Sequence, residues 1–63
     1  MAEPPGVLLW EVGKAVCRCR TIAVDRIEIT VVVDNEIAVD SWFDNHEEAA
    51  RFAIDLMHTY QAR

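Results

Sequence analysis

Cys17, Cys19, His46 and His58 carry the side chains of this 63-residue chain that most readily bind metals or move protons. Two thiolates on one strand face can hold zinc or a soft metal, but a closed zinc site takes four ligands. His46 and His58 would lie about 18 Å apart on one continuous helix, so they cannot share an ion. The sequence therefore predicts no metal and no cofactor, and it assigns both cysteines to the core.

Either histidine could act as a general base near neutral pH. Neither has a nucleophile beside it in the sequence, because Ser41 is isolated and no G-x-S-x-G elbow is present. Glycine occurs only at positions 6 and 13, which leaves no phosphate-binding loop. We expect both histidines to be surface residues and the protein not to be an enzyme.

Composition and charge favour a small acidic interaction protein. The chain is 52% hydrophobic, more than one thin core can bury, so a homodimer is expected. A net charge of −5 argues against direct nucleic-acid binding, which needs a basic surface. No Lys or Arg lies between Arg26 and Arg51, whereas Arg18, Arg20 and Arg26 lie close together before that stretch.

The two cysteines and the N-terminus indicate the compartment. Residues two apart in a strand have Cα atoms about 6.5 Å apart, near the upper limit of disulfide geometry. Free thiols are typical of a reducing environment. The start of the chain lacks the features of a signal peptide, and no segment approaches 18 apolar residues. We expect a cytoplasmic protein without a membrane partner.

Turn residues and hydrophobic period divide the chain. Residues 1–6, with Pro4 and Pro5, are expected to be a flexible leader, and residues 7–63 a single domain. A strand over 7–12 is followed by Gly13-Lys14, which suits a type II′ hairpin turn. That turn predicts three pairs across the first hairpin: Val12 with Ala15, Trp10 with Cys17, and Leu8 with Cys19. Residues 21–26, with Asp25 as the most turn-like residue, should connect to a third strand over 26–33.

The turn after the third strand decides which residues face the core. A two-residue turn at Asp34-Asn35 would place Ile29 and Val31 beside Asp40 and Ala38. A three-residue turn with a bulge is preferred because it gathers the apolar residues on one face. Its pairs are Val33 with Ile37, Val31 with Val39, and Ile27 with Phe43. Asn35 or Glu36 would then be left-handed.

After Phe43 the hydrophobic period becomes that of a helix, over residues 46–61. Asn45 with Glu48 fits a capping box, and Asp44 with Glu47 offers the same spacing one residue earlier. The predicted fold is α+β, a four-stranded antiparallel meander with one C-terminal helix packed on one face. The predicted core consists of Leu8, Trp10, Val12, Cys17, Cys19, Ile27, Ile29, Val31, Val39, Phe43, Phe52, Leu56 and Tyr60.

The segment Phe43-Asp44-Asn45-His46-Glu47-Glu48-Ala49 resembles the strand-to-helix junction of many small sheet-plus-helix domains. The arm-type DNA-binding domains of integrases are among them. The resemblance covers seven residues and implies a helix start. Because the acidic charge departs from the DNA-binding pattern, no function is carried over.

Three functions remain open. The first is self-association through the outer sheet face, with Trp42, Val32, Val16, Arg18 and Arg20 as the interface, unless the other register buries Trp42. The second is an acidic inhibitor or nucleic-acid mimic that binds a basic protein. Its acidic face would consist of Asp34, Glu36, Asp40, Asp44 and Glu47. The third is a ligand or enzyme site at a dimer seam, near a histidine or near Arg18 and Arg20.

Overall fold

The computed structural model describes residues 6–62, so the leader expected over 1–6 lies, except for Gly6, outside the described residues. The strands are β1 (Val7–Val12), β2 (Ala15–Ala23), β3 (Arg26–Val33) and β4 (Glu36–Phe43), followed by helix α1 (His46–Gln61). The strands form one antiparallel sheet in the order β1-β2-β3-β4, and α1 packs on one of its faces. The predicted α+β fold is confirmed.

The core is thin, and the helix residues that are buried in it are small, whereas Phe52, Leu56 and Tyr60 are partly buried against it. In the described part of the chain, α1 buries Ala49 and Ala53 against the branched side chains of β3. Because an alanine extends no farther than Cβ, the helix can lie close to the sheet. The fully or nearly fully buried residues are Ala15, Cys17, Ile27, Ile29, Val31, Ala49 and Ala53.

Aromatic pairs join the helix to both edge strands. Trp10 on β1 lies 5.8 Å from Tyr60 between ring centroids, and its Nε1–H donates to the Ala53 carbonyl oxygen at 2.9 Å. On β4, the ring of Phe43 lies 5.0 Å from that of Phe52. Both separations lie in the range preferred by tilted aromatic pairs. Small residues at the centre and large ones at the rims therefore fix the helix across the sheet.

The first hairpin follows the prediction near its turn and departs from it farther away. Gly13 has a φ of 58°, Val12 pairs with Ala15, and Trp10 pairs with Cys17. Leu8, however, pairs with Arg18 instead of Cys19, because Leu9 is inserted as a bulge. The extra residue moves Leu8 to the face opposite the helix, where it is 51% exposed. Its assignment to the core was wrong, and Val12 also lies outside the core cluster.

The connection between β2 and β3 is shorter than predicted. β2 continues to Ala23, so only Val24 and Asp25 form the turn. Thr21 pairs with Ile27 and Ala23 with Arg26, which makes Ile22 the bulged residue. Because the bulge absorbs one residue within β2, the side chains of β2 and β3 keep their faces and a two-residue turn is long enough to join the strands.

The β3–β4 turn contains two residues, not the preferred three. Asp34 and Asn35 have φ values of 52° and 67°, so both adopt the left-handed conformation of a type I′ turn. Val33 pairs with Glu36, which corrects the predicted pairing with Ile37. The extra residue is Ala38 within β4, and beyond it Val31 pairs with Val39 and Ile27 with Phe43, as predicted. The prediction of one extra residue in this hairpin was right, but the residue lies within β4 and not in the turn.

The helix begins where the capping signal places it. The Glu48 backbone N–H donates to Asn45 Oδ1 at 2.8 Å, and Asn45 itself has extended backbone angles. Asn45, and not Asp44, is therefore the N-cap. Glu47 and Glu48 lie in the first turn, where the helix dipole favours negative charge.

Replacing Trp10 by phenylalanine tests the contact between β1 and α1. We expect Trp10→Phe to lower the free energy of unfolding by about 1–2 kcal/mol, since it removes the hydrogen bond to Ala53 and part of the ring contact. Urea unfolding measures this value. Ile54→Ala, at an exposed helix position, is the control and should change stability by less than about 0.5 kcal/mol. Equal effects of the two variants would contradict the assigned role of Trp10.

Substitutions in the β3–β4 turn test its type. Glycine accepts the left-handed conformation without a steric penalty, so Asn35→Gly should raise the free energy of unfolding by about 0.5 kcal/mol. Asn35→Val should lower it by about 1–2 kcal/mol. Glu36→Gly is the matched control and should destabilise, because Glu36 is an ordinary strand residue. Stabilisation by Glu36→Gly would indicate the longer turn instead.

Candidate interaction face

The sheet surface opposite α1 is called the open face here. Side chains alternate along a strand, so the neighbours of the buried residues Cys17, Ile29 and Val31 point to the open face. All five residues predicted as an interface lie on it. Trp42 is 50% exposed, Arg18 is exposed, and the other three are half-buried: Val16, Arg20 and Val32.

Strand pairing arranges the open face in rows that cross the sheet. The first row joins Arg20 on β2, Glu28 on β3 and Trp42 on β4. Arg20 Nη2 lies 2.8 Å from Glu28 Oε1, and Arg20 Nε–H donates to the same oxygen at 3.1 Å. The Glu28 side chain is only 12% exposed, so this ion pair is well ordered. This ordered ion pair therefore lies on the strands next to Trp42.

Trp42 also contacts a cation. The guanidinium carbon of Arg26 lies 5.9 Å from the Trp42 ring centroid, within the range of a cation–π contact. Such a contact at an exposed site contributes about 0.5–1 kcal/mol. The contact restricts the indole before any partner arrives, which lowers the entropy lost on binding. Sequence reasoning missed this pair, because Arg26 and Trp42 meet only through the β3–β4 register.

The second row contains both charge and apolar surface. It joins Leu8 on β1, Arg18 on β2, Thr30 on β3 and Asp40 on β4. Arg18 and Asp40 are two strands apart, about 10 Å at the usual strand spacing. Neither has an ion-pair partner among residues 6–62. Opposite charges thus lie at the same height along the strands without neutralising each other.

The third row, nearest the Asp34-Asn35 turn, is mainly apolar. Glu11 pairs with Val16, Val16 with Val32, and Val32 with Ile37. Ile37 is 66% exposed. Together with Leu8 and Trp42, this row exposes large apolar side chains on the open face, as is typical of an interaction surface.

The predicted acidic residues follow edge strand β4 from end to end, and all five are exposed. Asp34 lies 3.6 Å from Lys14 Nζ across the adjacent hairpin turns. Asp40 belongs to the open face, whereas Glu36 pairs with Val33, which packs against the core. Asp44 and Glu47 lie at the other end, at the start of α1. The acids therefore share an edge and occupy both sides of the sheet.

Residues 6–62 line shallow depressions that are open to solvent, and two of them adjoin the residues discussed above. One, of about 520 Å³, lies beside Trp42 and is lined by Asp25, Arg26, Trp42, Phe43, Asp44 and Glu48. The other, of about 490 Å³, brings His46 near Cys19 and Arg20. Burial raises the pKa of the Cys19 thiol, so Cys19 is protonated at neutral pH and is a poor nucleophile there. His58 lies far along α1 from this depression.

Cys17 fills the core, as predicted from its place opposite Trp10. Burial, and secondarily the neighbouring Cys19, raises the pKa of the Cys17 thiol to about 11. Both cysteines are free thiols. Within residues 6–62 no cluster of three or more His, Cys, Asp or Glu side chains is arranged to hold a metal ion.

No helix in the described range combines the length and the apolar character needed to cross a membrane. Comparison of the chain with protein-family models, with curated proteins and with solved structures finds no match.

The pH dependence of stability tests the burial of Cys17. Its pKa rises from the ordinary 9.0 to about 11 in the folded state. Below pH 9 both states keep the proton, whereas at higher pH the unfolded state loses it first, so stability falls as pH rises toward 11. We expect Cys17 to contribute a loss of at most about 2–3 kcal/mol in the free energy of unfolding. Urea unfolding at several pH values from neutral upward measures it.

Cys17→Ala provides the control for that titration. The variant should be less stable near neutral pH but lose stability more slowly as the pH rises, because the buried thiol is gone. Identical slopes for the two proteins would show that Cys17 is not a buried thiol of raised pKa.

Proposed function

We propose that the protein is a small non-enzymatic interaction module that associates with a second copy of itself through the open face. The proposal is supported first by the shape of the described chain, whose Cα extents are 34 × 28 × 14 Å. The 14 Å dimension accommodates one sheet and one helix only. A sheet of this size covered on a single side leaves its other face to solvent or to a partner.

The single observation that carries the proposal is the composition of that face around Trp42. Trp and Arg are enriched among residues that dominate binding energy. Here a half-exposed Trp42 contacts Arg26 and pairs across the strands with Glu28, the ion-pair partner of Arg20. Exposed Leu8 and Ile37 extend the apolar surface on either side. A second copy is the commonest partner for such a face, since most oligomers are symmetric assemblies of one chain.

The acidic-inhibitor hypothesis is less well supported. Its five residues occupy both sides of the sheet edge, and Asp34 is already near Lys14. A site for a ligand or an enzyme reaction is also disfavoured, because the depression that contains His46 is shallow and its cysteine is protonated. A cytoplasmic location belongs to the proposal and is supported by the two free thiols.

Sedimentation equilibrium of the wild type and of Trp42→Ser tests this function. We expect a reversible dimer to form between about 10 µM and 1 mM, since a face this small supports only weak association. Trp42→Ser should raise the dissociation constant by at least about 10-fold, because the indole is the largest side chain on the open face.

Ile54→Ser is the matched control. Ile54 is also 50% exposed, but it lies on α1 outside the stripe that packs on the sheet. Its substitution should leave the dissociation constant unchanged. A wild type that remains monomeric at the highest concentration would contradict the proposed function, as would equal effects of the two substitutions.

A further inference from the structure

The rows of the open face restrict how two copies can meet, given the self-association proposed above. In a face-to-face dimer the two-fold axis lies between the two sheets, either along the strands or across them. Two packed sheets lie about 10 Å apart with their strands roughly aligned. For an axis at a given position, the registers fix which residues it would bring together.

We propose that the axis runs along β3, so that β4 of each copy lies over β2 of the other. A two-fold rotation about this direction leaves each row at the same position along the strands. It places the β2 end of a row over the β4 end of the same row in the partner. Arg18 then faces the partner subunit's Asp40, and Asp40 faces the partner subunit's Arg18. A long guanidinium side chain and a short carboxylate can together span the gap between the sheets. The ion pair therefore forms twice in each dimer.

The other two rows agree with the same axis. In the first row Trp42 lies over the partner subunit's Arg20, which adds a cation to the face of the indole. In the third row Ile37 lies over the partner subunit's Val16, and Val32 meets its own copy. Two Glu28 side chains approach at the axis, but each is neutralised by its own Arg20 at 2.8 Å. Arg26, also on β3, approaches its own copy at the axis, but its guanidinium lies against the Trp42 ring, 5.9 Å from the centroid. Within β2, β3 and β4, apolar residues thus meet apolar residues, and Arg18 and Arg20 face an acid and an aromatic ring.

An axis across the strands fails on charge. It places β2 over β2 and β4 over β4, so the arginines at positions 18 and 20 of one copy approach those of the other. Asp40 then faces β4 of the partner, where there is no basic residue between Glu36 and Phe43. Like charges brought together in this way disfavour association. Charge complementarity selects the axis along β3.

The area of contact sets the expected affinity. Three strands at about 4.8 Å spacing and eight residues at about 3.3 Å per residue give a footprint of roughly 400 Å² per copy. Footprints of this size belong to weak, reversible complexes. In such a complex the charge pairs determine the relative orientation of the two copies more than they raise the affinity.

Charge reversal with sedimentation equilibrium at physiological salt tests the axis. Arg18→Asp and Asp40→Arg should each raise the dissociation constant at least about 10-fold, because either one makes two like-charge contacts per dimer. The double variant, Arg18→Asp with Asp40→Arg, should return to within about 3-fold of the wild type. An equimolar mixture of the two single variants should associate as strongly as the wild type. Circular dichroism verifies that each variant is folded.

Arg51→Asp and Asp55→Arg are the matched controls, since they make the same changes of net charge at exposed positions of α1. Both should associate like the wild type. If the wild type dimerises but single reversals at 18 and 40 have no effect, or the double variant fails to recover, this axis is wrong while the proposed function stands. If the wild type stays monomeric near 1 mM, the proposed function itself fails.

Discussion

Ala49 and Ala53 bring α1 against β3, and most other features of the molecule follow from this close approach. A helix with larger residues at these positions would stand farther from the sheet and would separate Trp10 from the Ala53 carbonyl. Because the centre of the layer is so thin, the large aromatic side chains are placed at the rims, on both edge strands. The core is consequently small, and all of it lies on one side of the sheet. The opposite side is left with Trp42, Ile37 and Leu8.

The elements that could be predicted from the sequence are those with strong local signals. The strand over Arg26–Val33 has a strict two-residue period, and the helix has both a cap at Asn45 and a 3.6-residue stripe. Gly13 fixes the first turn because it accepts positive φ. The predicted pairing of Ile27 with Phe43 also placed the adjacent Trp42 on the face opposite the helix. Each of these signals depends on a few neighbouring residues.

The bulges could not be located from the sequence. Hydrophobic alternation in β3 and β4 requires one extra residue somewhere between Val31 and Val39, but the pattern is the same whether it lies in the turn or at Ala38. The bulge at Leu9 leaves no pattern at all, since residues 7–10 are continuously apolar. It nevertheless decides which face Leu8 occupies. The contacts that order the candidate face, Arg20 with Glu28 and Arg26 with Trp42, depend on the resulting registers.

Dilution followed by amide NMR tests most directly whether the open face is the surface on which a second copy binds. Between about 1 mM and 10 µM, the weak association expected of this face should produce concentration-dependent shifts. We expect these shifts at amides of β2, β3 and β4 around Arg18, Thr30 and Trp42, with residues of α1 unchanged. Shifts confined to α1 or to the edge of β1, or no shifts at all, would contradict this expectation.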